Sequence, residues 1–159
     1  MKHVPSEKYN IAWFKLSECV ARGEKERALG VYKLLSHSID DAAFAAQLEG
    51  DLLLAFEDNT ATEKYKAAAK LYTKKQRFVE AAAVYEHLVT LQPGIDDHVL
   101  HLIQLYQILN FTQKLEHHLK KTIDELVQDN NPTRLNAFLV KLQELSPETH
   151  KLAQTFIAG

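Results

Sequence analysis

Residues 64–88 read KYKAAAKLYTKKQRFVEAAAVYEHL, with one alanine triplet between Tyr65 and Tyr72 and a second just ahead of Tyr85. Alanine is the strongest helix former and the smallest apolar side chain, so a face built from it lets a second backbone come close. The tyrosine rings then fill the space between turns. Apolar residues in this stretch recur every three or four positions and never alternate, which predicts helices packed on helices.

The same periodicity extends in both directions. Pro5-Ser6 predicts the start of a first helix with Ser6 as its N-cap, Ile11, Phe14, Leu16 and Val20 on its apolar side, and Gly23 as its end. A second helix over about 25–37 repeats Ala28, Leu29, Tyr32 and Leu35. Asp40 is expected to cap a third, with Phe44, Leu48, Leu52 and Phe56 forming one stripe. Thr60 and Glu63 have the spacing of a capping box at the head of the fourth, and the fifth runs from Phe78 to the stop at Pro93-Gly94. Asp96 or Asp97 caps a sixth carrying Val99, Leu102, Ile103 and Tyr106. A seventh covers Thr112 to Gln128 with Leu115, Leu119, Ile123 and Leu126 inward. Asn131-Pro132 and Ser146-Pro147, each a capping residue followed by proline at the first helical position, open helices eight and nine. The expectation is an all-α chain of about nine helices in successive antiparallel hairpins, with no strand.

Within 62–95 the spacing is more specific. Tyr65, Ala69 and Tyr72, then Ala81 and Tyr85, then Pro93 follow the order of an aromatic, a small residue, a tyrosine, an A-x3-F pair and a closing proline. This resembles the tetratricopeptide repeat, a helix hairpin of about 34 residues; Ala68 stands where that pattern carries leucine. A degenerate copy follows over 96–129, where Val99, Ile103, Tyr106 and Leu119 keep the apolar character without the small residues. Ala28, Tyr32 and Leu35 repeat the second-helix pattern within a first hairpin over about 6–38, and an irregular hairpin covers 131–158. The Ala-Tyr spacing also resembles, more distantly, the helical hairpins of vesicle-fusion adaptor proteins. The resemblance implies one repeat domain over 1–159, a right-handed α-solenoid, since a single hairpin of this kind cannot bury its own apolar face.

Composition narrows the function classes. The chain has 159 residues, a net charge of −2 and a single cysteine, Cys19. That balance weighs against a nucleic-acid binder, and one cysteine forms no internal disulfide, so a reducing, cytoplasmic setting is expected. No stretch approaches the roughly 18 uninterrupted apolar residues of a membrane span. Catalytic signatures are missing: there is no Gly-rich phosphate loop, no G-x-S-x-G and no H-E-x-x-H, so no enzymatic activity and no cofactor are expected. His98, His101, His117 and His118 have some of the spacing of a zinc site, but adjacent histidines on a helix point about 100° apart. Hydrogen-bonded or exposed histidines and no metal are the expectation, and Cys19 reads as a packed thiol.

Charge is distributed unevenly. From Ser38 to Thr62 there is no Lys or Arg, whereas Lys64, Lys66, Lys70, Lys74, Lys75 and Arg77 follow with only Glu63 among them. Lys66, Lys70 and Lys74 are successive i, i+4 neighbours and line one helix face, away from Tyr65, Ala68, Ala69 and Tyr72. In the resembled family the first helix of each hairpin lines a concave groove that receives extended peptides, some through clamped carboxylates. Carried over, Lys66, Lys70 and Lys74 would bind a peptide, with His101 and Gln104 of the next hairpin beside them, although the clamp's asparagines are missing. The functional expectation is a protein-interaction module of adaptor or co-chaperone type for an acidic or C-terminal peptide. The alternative is a scaffold subunit docking through lateral or end surfaces, and self-association is left open.

Overall fold

The computed structural model describes residues 7–159, with side chains from Asn10 onward. The described residues form nine helices and no strand, so the all-α class read from the sequence is the one the chain adopts. The helices are α1 (Glu7–Ala21), α2 (Lys25–Ser36), α3 (Ala42–Ala55), α4 (Ala61–Lys74), α5 (Phe78–Leu91), α6 (Asp96–Ile108), α7 (Thr112–Gln128), α8 (Pro132–Leu145) and α9 (Pro147–Ala158). Ser6, the expected first cap, lies outside the described residues. Among those described, no helix is long and apolar enough to cross a membrane. The chain forms two compact units that divide between Lys75 and Gln76. The stretch 62–95, which matches the repeat pattern best, is therefore shared between them: α4 closes the first unit and α5 opens the second.

In the first unit α1 packs on α2, α2 on α3, and α3 on α4, the last pair being the most extensive. Leu16, Cys19, Ala28, Tyr32, Leu35 and Leu52 form one buried cluster, with Trp13, Val20, Leu48 and Phe56 packed against it. The Cys19 thiol is buried there. The expected inward stripe of α1 needs correction: Leu16 faces the core, but Phe14 is 77% and Ile11 63% exposed. At about 100° per residue, Phe14 lies nearly opposite Leu16 on the helix.

The α3 stripe is corrected as well. Its buried residues are Ala43, Gly50, Leu52 and Leu53, while Phe44 is exposed. Helix α3 lies between α2 and α4 and buries two sides. Leu52 joins the α1/α2 cluster. Gly50, about 160° away around the helix, is where α4 comes closest. A Cβ built on Gly50 would stand 3.0 Å from two carbons of the Tyr65 ring. The tyrosines then reach polar groups on α3: the Tyr65 hydroxyl donates to Asp51 Oδ1 at 2.6 Å and the Tyr72 hydroxyl to Gln47 Oε1 at 2.8 Å. Tyr32 donates to the Ala45 carbonyl at 2.7 Å. Phenylalanine would fill the same space, but a hydroxyl satisfied in this way also fixes how far each ring enters.

Caps account for the boundaries. The third helix is capped by Asp41, not Asp40, through the amides of Ala43 and Phe44. The capping box at Thr60 does not form, because Thr60 adopts helical dihedrals and its side chain caps nothing. Asp58 instead accepts from the Thr60 amide and hydroxyl and from Lys25 Nζ, which ties the start of α2 to the α3–α4 turn. Neither Asp96 nor Asp97 caps α6; Ile95 occupies that position. Asn131 and Ser146 do cap, accepting from the amides of Arg134 and Thr149.

In the second unit α5, α6 and α7 pack in sequence, and α9 returns onto α7 while α8 contacts α6, α7 and α9. Val99, Leu102, Ile103 and Tyr106 of α6 and Leu115, Leu119, Ile123 and Leu126 of α7 are all buried, as their spacing predicts. Ala81 is fully buried in α5. Arg134 at the head of α8 grips Asp96 with two bonds, 2.7 and 3.0 Å, and so anchors α8 to the first turn of α6.

Candidate functional site

The lysines of α4 divide into two sets according to their angle around the helix. Ala61, Tyr65, Ala68, Ala69 and Tyr72 define the buried face. Lys64 and Lys75 stand on one flank of it, toward α3, and meet that helix's acids: Lys64 reaches Glu49 at 3.2 Å and Lys75 reaches Asp41 at 3.6 Å. Lys66, Lys70 and Lys74 lie on the other flank and the outer side, turning about 40° with each four-residue step. Lys66 is shared with Glu63 of its own helix at 2.9 Å. Lys70 and Lys74 are exposed and make no ion pair among the described residues.

The acidic run upstream thus neutralises only part of the basic run. Asp51 is engaged by Tyr65, Asp58 by Lys25 and Thr60, and Asp41 and Glu49 by Lys75 and Lys64. What remains on the outer face of α4 is a short cationic edge centred on Lys70 and Lys74, one helical turn or about 6 Å apart along the axis. Its chemistry suits a flexible anion, since each ammonium offers three donors on a mobile stem.

His101 and Gln104, the other two predicted site residues, are exposed on α6 in the second unit. They share a groove of about 260 Å³ with Asp97 and Leu100 of α6 and Lys141, Glu144 and Leu145 of α8. The imidazole of His101 stacks on the Tyr85 ring, centroids 5.0 Å apart and planes within 5°. Its Nδ1 lies 2.6 Å from the Asp97 carbonyl, which can only accept, so Nδ1 carries the proton. Lys141 bonds Asp97 at 2.8 Å, which holds that carboxyl below its usual range. Nothing in the linear sequence pairs Asp97 with Lys141; only the crossing of α8 over α6 joins them.

A third cluster joins α5, α6 and α7. Glu86 accepts from the Tyr106 hydroxyl at 2.5 Å and from Lys114 at 2.9 Å. Burial alone would raise the Glu86 carboxyl, but these two donors overcome it and keep it below its ordinary value. His118 packs on the Tyr106 ring at 5.5 Å, and burial, with His117 beside it, lowers its pKa. His98 is buried and bonds Gln92 at 2.9 Å. Among the described residues no three His, Cys, Asp or Glu side chains are grouped to hold a metal ion. Compared with protein-family models, with curated proteins and with solved structures, the chain matches none.

Proposed function

We propose that this chain is a non-enzymatic interaction module of the tetratricopeptide-like kind, adaptor or co-chaperone in type, which binds an acidic peptide segment along the outer face of α4. The observation that carries this reading is the cationic edge at Lys70 and Lys74, exposed and without ion pairs among the described residues, on a helix whose opposite face is fully buried. Lys66 contributes less than its neighbours because Glu63 already competes for it. Each exposed pair is worth at most about 1 kcal/mol, so binding is weak, additive over several contacts and salt-sensitive.

The test is chemical-shift mapping with a synthetic glutamate-rich peptide that ends in a free carboxylate. Amide and Lys side-chain shifts should concentrate on residues 66–74. Shifts spread evenly over all lysines would refute a specific edge. The scaffold reading draws support from a different observation, the exposed apolar side chains Ile11, Phe14 and Leu34 on α1 and α2.

A further inference from the structure

We propose that the α6/α8 groove is a self-recognition site that receives the Ile11–Phe14–Lys15 face of α1 from a second copy of this chain. The groove's volume of about 260 Å³ falls below the ~300–1,000 Å³ typical of small-molecule sites and suits one or two side chains. Its apolar surface comes from Leu145, which is 41% exposed, backed by the buried Leu100. Its polar edge is rich in acceptors. His101 lines it with Nδ1 bound to the Asp97 carbonyl at 2.6 Å. Asp97 is bonded by Lys141, whereas Glu144, close enough to Lys141 to raise its pKa, makes no salt bridge of its own among the described residues. An occupant should therefore bring an apolar side chain and a cation.

Helix α1 offers both. Phe14 and Ile11 are 77% and 63% exposed and lie one turn apart on its outward face. Lys15 beside them is exposed and makes no ion pair among the described residues, while the neighbouring Glu18 is taken by Arg22 at 2.6 Å. The arrangement is an amphipathic helix entering a groove, with Phe14 as the anchor and Lys15 directed to Glu144. Plug and groove are different surfaces, so the contact is heterologous, and each copy carries one of each. So small a contact belongs to the weak, reversible class of interfaces.

The test is sedimentation equilibrium from micromolar to millimolar protein. The wild-type weight-average mass should climb above the 18.1 kDa monomer as concentration rises. Phe14→Asp removes the plug and Leu145→Asp the groove, so each alone should stay monomeric. Mixed in equal amounts they retain one intact plug and one intact groove, so association should return and stop at pairs. A charge exchange guards against misfolding: Lys15→Glu and Glu144→Lys should each weaken association at least several-fold, and the two combined in one chain should restore it. A K70E/K74E variant should associate like wild type, because this site uses neither α4 nor its lysines. A wild type that stays monomeric throughout, variants that associate like wild type, or a mixture that stays monomeric would each overturn the proposal.

Discussion

Two glycines in the first unit sit inside helices, and the same substitution should move stability in opposite directions at the two. Gly30 lies on the exposed side of α2, and a Cβ there meets nothing within 4 Å. Gly30→Ala should therefore gain the helix-propensity difference, up to about 1 kcal/mol. Gly50 would gain the same amount from its backbone, but its Cβ would press on the Tyr65 ring at 3.0–3.2 Å. That ring is 2% exposed, and its hydroxyl is held by Asp51 at 2.6 Å, so it cannot withdraw without losing packing or the hydrogen bond. Overpacking of this kind costs about 1–3 kcal/mol, so Gly50→Ala should be net destabilising by roughly 1 kcal/mol. Urea unfolding followed by Trp13 fluorescence reports on the right unit, since the chain's only tryptophan packs against the α1/α2 core. Tyr65→Phe in the Gly50→Ala background should recover part of the loss by freeing the ring to shift. If Gly50→Ala stabilises as Gly30→Ala does, the close approach of α4 to α3 is wrong.

Other perturbations follow from the same geometry. Ala81 is fully buried, so Ala81→Leu should cost on the order of 1–3 kcal/mol by overpacking α5; an unchanged denaturation midpoint would contradict that. The Lys25 ammonium, with the Thr60 hydroxyl and amide, holds the Asp58 carboxyl far below its unperturbed 3.8. The sign follows from linkage: this stabilisation is complete above about pH 4 and is lost as pH falls below it. Acid titration of Asp58→Asn should show a correspondingly shallower loss. Burial, and secondarily Glu49, raises the Tyr32 hydroxyl from 10.0 to about 12, and Tyr65 and Tyr106 are raised too. Folding should thus weaken as pH rises through 10 toward 12, with most of the tyrosinate absorbance appearing together with helix loss; most of it forming ahead of helix loss would count against the buried hydroxyls.

Helix starts are legible in the sequence where a cap and a proline coincide and not where a cap stands alone: none of Asp40, the Thr60–Glu63 pair and Asp96 or Asp97 caps as expected. Asn131-Pro132 and Ser146-Pro147 fix the starts of α8 and α9 because a cap and a proline act within a single turn. Helix α7 was legible from its single buried face, on which Leu115, Leu119, Ile123 and Leu126 all lie. Helix α3 was not, because residues spaced by four drift about 40° per step, and a helix buried on two sides has no single stripe to find. Its second buried side is built from Ala43 and Gly50, whose small size carries no hydrophobic signal. The spacing of the lysine row places it on one face of α4 but carries no information about its partners. The loss of Lys64 and Lys75 to Glu49 and Asp41 depends on α3 lying alongside, and Glu144 and Lys141 meet His101 only through tertiary packing.

The proposed anion-binding edge is Lys70 and Lys74, with Lys66 largely occupied by Glu63. Titration calorimetry of the glutamate-rich peptide against wild type, Lys66→Glu and K70E/K74E, at low and moderate salt, tests it most directly. Circular dichroism should show all three folded alike, since these side chains lie outside the buried face of α4. Wild-type affinity should fall as salt rises, Lys66→Glu should weaken binding modestly, and K70E/K74E should abolish it at both salts. Equal affinity of wild type and K70E/K74E at low salt, where exposed charges count most, would contradict that assignment.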